Sequence, residues 1–278
     1  MFKRSIGAAC GMLMAVAMAA PGGAGEASAA AVAKPDYQVK LLLKGDAVDA
    51  EGQPSQALTS RFELGEFEGT ERSVYVDTPD RFYGSRGWSI RLRHKEGADS
   101  YDVTFKRRAE LADNSLSEDS VDRALEEARD AGFDSSDDNY AAQVNASYAS
   151  TTLDFSNKKE AGCIDKQCSL PEGDRAVDIA AELEPGKLSK ATGTSIAEVG
   201  PVASTTVEQK TWRVTIDGIA TDLEVSTFAG RHWVEISEEE DSRKDATDKR
   251  ERLIKALDDA GLLEHRDAFK TAEVIAAS

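Results

Sequence analysis

Two short segments, Ser89-Ile90-Arg91-Leu92-Arg93-His94 and Asp102-Val103-Thr104-Phe105-Lys106, alternate residue by residue between apolar and polar side chains. Successive side chains of an extended strand point to opposite faces. Arg91 and Arg93 therefore share one face while Ile90 and Leu92 share the other, and Thr104 and Lys106 stand opposite Val103 and Phe105 in the same way. The polar face carries three cations, which repel one another unless an anion sits among them. Guanidinium and ammonium groups arranged so suit phosphate oxygens, and a polyphosphate-like anion is the natural ligand. A flat two-layer sheet would leave that charged face unfilled. Closure into a barrel with a polar, ligand-holding interior resolves the conflict.

The rest of the chain supplies strands for such a barrel. Tyr37 to Lys44, Thr59 to Leu64, Arg72 to Val76, Trp88 to His94 and Tyr101 to Arg107 are strand-like runs bounded by Gly, Pro or Asp. Ser115 to Phe133 changes period, opens on Ser115-x-x-Glu118 as a capping box, and is expected to be a surface helix. Residues 134–150 lack periodicity and read as loop or a loosely held helix. Thr151 to Phe155, Val177 to Glu184, Thr205 to Ile216, Thr221 to Ser226 and His232 to Ser237 are further expected strands, with Asp217-Gly218 as a tight turn. A helix from about Thr247 to Ala260 carries Leu253, Ile254 and Leu257 as its apolar stripe and stops at Gly261. The pattern predicts an α+β protein: an antiparallel β-barrel or tunnel of about eight strands with a helical insertion and a C-terminal helix.

Lys3 and Arg4 precede an apolar run from Ile6 to Ala20, and small residues follow at Ala27-Ser28-Ala29 and Ala31-Val32-Ala33. Residues 1–33 are accordingly expected to be a signal peptide and short leader, and the product to be secreted. Residues 34–278 then form a single domain with a helix and loop insertion at about 109–150. Without residues 1–29 the formal charge of -17 becomes -18, because Lys3, Arg4 and Glu26 leave. So acidic a chain repels nucleic acid and anionic membrane, and neither is expected as a partner once the signal is removed. An anion site must then be a local basic pocket. Cys163 and Cys168, four residues apart in an exported chain, read as one local disulfide. Trp88, Trp212 and Trp233 read as core or barrel wall, and Glu238 to Asp241 as a solvated acidic loop.

The motifs and their order resemble the CYTH superfamily, the triphosphate tunnel metalloenzymes that include thiamine triphosphatases, inorganic triphosphatases and class IV adenylyl cyclases. That family opens with a Glu-x-Glu-x-Lys strand, whose place is taken here by Asp36-Tyr-Gln38-Val-Lys40. An alternative register lays the motif on Lys40, Leu42 and Lys44. Tyr75-Val-Asp77-Thr78 is similar to its Tyr-Phe-Asp-Thr element, Ile90 to Arg93 to its Leu-Arg-x-Arg strand, and Val103 to Lys106 to its Leu-Thr-x-Lys strand. Lys210 or Arg213 stands for a later basic tunnel residue, Glu224 for an acidic group on the penultimate strand, and Glu235-Ile-Ser237 for a closing Glu-x-Glu.

The resemblance implies a tunnel in which Lys40, Arg91, Arg93, Lys106 and one of Lys210 or Arg213 hold phosphate oxygens. Asp36, Glu224 and Glu235 would then hold Mg²⁺ or Mn²⁺ for in-line attack by water. The acidic set is reduced relative to that pattern: Asp36 is short by a methylene, Gln38 is neutral, and Ser237 replaces a glutamate. Three functions follow as alternatives. One is a metal-assisted triphosphatase or polyphosphatase, the second an anion-binding barrel without turnover, and the third a structural domain whose cations pair with its own carboxylates.

Overall fold

The computed structural model describes residues 31–163 and 168–278, so the signal-peptide reading falls almost wholly outside the described residues. Strands β1 (Asp36–Leu42), β2 (Glu63–Asp77), β3 (Trp88–Lys95), β4 (Ser100–Glu110), β5 (Ala141–Ala146), β6 (Thr151–Gly162), β7 (Val202–Ala203), β8 (Val207–Ile216), β9 (Ile219–Phe228) and β10 (Arg231–Glu240) form one sheet. Its order is β3-β4-β6-β5-β1-β10-β9-β8-β2, and β2 pairs back onto β3. The sheet therefore closes on itself as a barrel, with the two-residue β7 added at the end of β2. Every pairing in the ring is antiparallel except β1 with β5. The α+β barrel expected from the alternating strands is the observed architecture.

The polarity of the barrel is inverted relative to a packed-core barrel. Val39 and Leu41 of β1, Ile90 and Leu92 of β3, and Val103 and Phe105 of β4 point outward and are fully or almost fully buried. Helices cover them. On one side α2 (Glu118–Asp130), α3 (Gly173–Glu182), α4 (Gly186–Thr192) and α5 (Ile196–Val199) contribute Val121, Leu125, Ile179, Leu188 and Ile196 to a cluster against β3 to β6. On the other, the one-turn α1 (Gln56–Thr59) and α6 (Arg243–Asp259) bring Leu58, Leu253 and Leu257 against β1, β8, β9 and β10. Each such side chain contributes about 1.5–3 kcal/mol by leaving water, and the inward face stays free for polar groups. A third, smaller cluster lies inside. Leu42, Tyr75, Val207, Phe228 and Trp233 close one end of the barrel around Val274 of a terminal helix, α7 (Lys270–Ala276).

Five expectations need correction. Val177 to Glu184 is not a strand: Ala176, Ile179 and Ala180 sit at helical spacing and form the buried face of α3. Residues 141–146 are not loop but β5, whose inward and outward faces are small or neutral and leave little periodic signal. Of the two runs Thr59 to Leu64 and Arg72 to Val76, the second and only Glu63 and Leu64 of the first belong to one long strand, β2, while Thr59 ends α1; the glutamate-rich middle of β2 follows β8 through two register shifts. Glu238 to Glu240 continue β10 instead of forming a loop, and Lys249 of α6 pairs with both Glu238 and Glu240. The N-cap of α2 is Ser117, two residues later than the capping box suggested. Gly261 follows α6 with φ +74°, as a helix stop requires, and Asp217-Gly218 makes the β8–β9 turn with both φ values positive. Cys163 and Cys168 are joined as a disulfide just after β6.

Candidate functional site

The inward faces of the strands enclose a cavity of about 1020 Å³. Lys40, Arg91, Arg93, Lys106, Arg213, Glu224 and Glu235 all line it, because each takes the inward parity of its strand. Two residues singled out from sequence do not. Lys210 alternates with the inward Gln209 and Thr211 and so points to the outer face. Asp36 shares the parity of Gln38 and Lys40 but lies exposed at the strand's start, beyond the cavity. Lys44 lies past the end of β1 and donates to the Gly261 carbonyl, which decides the register: Gln38 and Lys40 are the inward pair. His94 and His232 contact the carbonyls of Ala98 and Ala50 and take no part in the lining.

Charge is divided between two walls. On the β9–β10–β1 wall, strand register sets Glu235 directly opposite Glu224. Like charges so placed repel, and both are shielded from water. Lys40 Nζ lies 3.2 Å from Glu235 and 3.5 Å from Glu224. Lys270, from α7, lies 2.9 Å from Glu235 and 3.7 Å from Glu224, and also donates to Gln209 at 2.7 Å and Ser226 at 3.1 Å. Trp233 Nε1 donates to the second Glu235 oxygen at 2.8 Å, and Ser237 Oγ donates to Glu224 at 2.7 Å. Burial favours a neutral Glu235, yet Lys270 and Lys40 outweigh it and hold the carboxyl well below the usual range. The same pairing raises both lysines against the burial that disfavours their charge. Arg213 pairs with Asp222 on the neighbouring strand and with Glu68.

On the β3–β4–β6 wall cations predominate. Asp154 of β6 is fully buried, and Arg108 forks onto it at 2.9 and 2.8 Å while Lys106 reaches it at 3.2 Å. Burial opposes ionisation of Asp154, but Arg108 and Lys106 reverse the balance and lower its pKa. Lys106 shifts the other way. Burial leads, Arg108 and Arg91 add repulsion, and Asp154 does not make up the difference, so its pKa falls below the ordinary lysine value. Arg93 is held by Glu71 at 3.2 Å and Asp102 at 3.1 Å. Arg91 has no carboxylate or hydrogen-bond partner among the described residues. The buried polar atoms of the cavity lining that lack a partner, Arg93 Nε and Asn145 Nδ2, are both donors.

Sequence reasoning missed Lys270, Arg108 and Asp154. Arg108 shares the inward parity of Lys106 and was legible from that alternation. Lys270 sits on a seven-residue helix too short to show a period.

The carboxylates assigned to Mg²⁺ or Mn²⁺ do not fit that role. A hard divalent ion needs about six oxygen ligands. Among the described residues no cluster of three Asp, Glu, His or Cys side chains is placed to hold an ion. Both oxygens of Glu235 and both of Glu224 already face N–H or O–H donors, two of them ammonium groups.

No protein-family model and no curated protein matches the chain. Solved structures do resemble it. A candidate adenylate cyclase from Bacillus halodurans is 13% identical over 86% of this chain and 97% of its own, with a TM-score of 0.49. An adenylyl cyclase candidate from Hippeastrum, described as having a dominant triphosphatase activity, is 13% identical over 84% and 92%, with a TM-score of 0.47. A candidate adenylate cyclase from Vibrio parahaemolyticus is 13% identical over 86% and 99%, with a TM-score of 0.40. The likeness is one of overall architecture alone.

Proposed function

We propose that this protein is an exported barrel that binds a linear phosphate-chain anion, triphosphate or polyphosphate, along the β3–β4–β6 wall. The observation that carries this reading is the imbalance there: Arg91, Lys106 and Arg108 converge with Asp154 as their one buried carboxylate, and Arg91 is left unpaired. A chain of phosphates supplies the missing negative charge and accepts from the unpartnered donors of Arg93 and Asn145. Several cations spaced along adjacent strands favour an extended polyanion over a single phosphate. The acidic exterior, with a formal charge of -17, supports a small anion held inside over a nucleic acid held outside. Binding is favoured over metal-assisted hydrolysis because the carboxylates that such hydrolysis needs are engaged with lysines.

Calorimetry with tripolyphosphate tests the reading. We expect saturable binding, weaker for monophosphate, and weakening further as salt rises. No heat of binding and no rise in melting temperature with tripolyphosphate, with or without Mg²⁺, would overturn it. Phosphate release from tripolyphosphate would move the protein to the hydrolytic alternative. Export is supported by the basic and apolar N-terminal segment and by the Cys163–Cys168 disulfide. N-terminal sequencing of protein recovered outside the cytoplasm should read a start at Ala30 or Lys34. An intact Met1 on that protein would refute the proposed cleavage.

A further inference from the structure

We infer that Lys270 is the resident cation of this barrel: its ammonium, delivered by α7, neutralises Glu224 and Glu235 in place of a divalent metal, so the phosphate-chain anion is taken up without one. The inference rests on the binding reading above and adds how the site is kept electrically complete.

Three features point to it. The first is coordination. Lys270 Nζ has three hydrogens, and Gln209, Ser226 and Glu235 accept all three at 2.7, 3.1 and 2.9 Å. An ammonium so saturated has no hydrogen left for a ligand. It acts as a fixed counter-ion, surrounded by oxygens as a bound ion would be. Lys40 differs. It donates to Glu224 and Glu235 only, which leaves one hydrogen free on a side chain that is 30% exposed against 14% for Lys270.

The second feature is anchorage. Lys270 is the first residue of α7, and Val274 of the same helix is fully buried among Leu42, Tyr75, Val207, Phe228 and Trp233. The preceding Phe269 lies under the Arg108 guanidinium at 4.4 Å, so the segment that carries the counter-ion also touches the basic wall. A cation tied to the chain by this packing needs no free metal in the medium. The third is the chemistry of the neighbours. Gln38 and Ser237, where the tunnel pattern has glutamates, add no charge beside Glu224 and Glu235, and this buried pair is what two ammonium groups balance, Asp222 and Glu238 having Arg213 and Lys249 as partners of their own. With Glu224 and Glu235 against Lys40 and Lys270, the count closes at zero.

The test is Mn²⁺ binding to the full chain read by electron paramagnetic resonance, with Glu235→Gln marking the site, alongside tripolyphosphate calorimetry in EDTA and in Mg²⁺. We expect wild type and Glu235→Gln to give the same Mn²⁺ isotherm, since what binds is the acidic exterior. Lys270→Met keeps the stem and removes the charge. It should gain one Mn²⁺ at least tenfold tighter than the exterior sites, and Lys270→Met/Glu235→Gln should lose it again. Tripolyphosphate should bind wild type in EDTA at least as tightly as in Mg²⁺. Two results overturn the inference: a wild-type Mn²⁺ that Glu235→Gln abolishes, or tripolyphosphate binding that vanishes in EDTA and returns with Mg²⁺. If tripolyphosphate fails to bind under both conditions, the binding reading falls. The Mn²⁺ comparison on wild type and Glu235→Gln then still decides the role of Lys270, even if Lys270→Met does not fold.

Discussion

The two walls of the barrel interior meet the same electrostatic problem and solve it differently. On the β9–β10–β1 wall, two opposed glutamates are matched by two lysines, and every carboxylate oxygen faces a donor. On the β3–β4–β6 wall, Lys106 and Arg108 share Asp154, and Arg91 beside them has no carboxylate partner among the described residues. The first pair of glutamates is balanced as it stands, whereas the second wall carries an excess of cations that the proposed anion would balance. Stability should therefore be concentrated on one wall and ligand affinity on the other.

The largest effect should come from breaking the complete wall. Glu235→Ala leaves Lys40 and Lys270 facing only Glu224. Removing one member of a buried ion pair costs roughly 3–5 kcal/mol, which in a domain of this size lowers the melting temperature by about 10 °C or more. Thermal unfolding followed by circular dichroism reads it. A melting temperature unchanged from wild type would mean that the glutamate–lysine cluster is not what holds this wall.

Asp154→Asn should be nearly as costly in the absence of ligand, about 3 kcal/mol, since Lys106 and Arg108 then lose their buried counter-charge. Here the two walls diverge. Tripolyphosphate should recover part of the loss by supplying the charge, through ordinary linkage of binding to folding, whereas it should recover little in Glu235→Ala. Equal recovery in both variants would erase the distinction drawn between the walls.

How far this division could be read from sequence depended on period. The basic wall was legible because Arg91, Arg93 and Lys106 alternate with Ile90, Leu92, Val103 and Phe105, and a period of two states which side chains share a face. The closed barrel followed, since a charged inner face needs an enclosure. The acidic wall was legible only in part: Glu224 and Glu235 were placed by resemblance, but their ion partners were not. Lys270 was invisible because α7 is too short for a helical period, and its role depends on a helix packing across the barrel end, a contact of long sequence separation. β5 was missed because Ala142, Val144 and Ala146 bury too little apolar surface to stand out from loop. α3 was misread because Val177-Asp-Ile-Ala-Ala181, apolar except for Asp178, satisfies strand and helix templates alike when taken without its neighbours.

Arg91→Ala separates affinity from stability. An unpaired, half-buried cation contributes little to folding, so stability should stay within about 0.5 kcal/mol of wild type. Loss of a charge-assisted contact to phosphate costs about 1.5–3 kcal/mol, or roughly a ten- to hundredfold weaker tripolyphosphate affinity by calorimetry. Unchanged affinity would place the anion elsewhere in the cavity.

The smallest effect, and the one most specific to the unbalanced wall, is its pH dependence. Burial and the nearby Arg108 and Arg91 depress the Lys106 pKa below 10.5, the ordinary value. Bound phosphate oxygens would raise it again, so binding takes up a proton in the alkaline range. Tripolyphosphate affinity should then fall as pH rises through the depressed value, by at most about tenfold per pH unit. The ligand-free protein should show the reverse trend from the same residue. In the window between the depressed folded value and the ordinary one, the unfolded chain holds the Lys106 proton more firmly than the folded chain does. The Lys106 contribution to stability therefore rises with pH there. Lys106→Met should flatten both slopes. A slope in affinity that survives this substitution would assign the titration to another group and remove Lys106 from the anion's contacts.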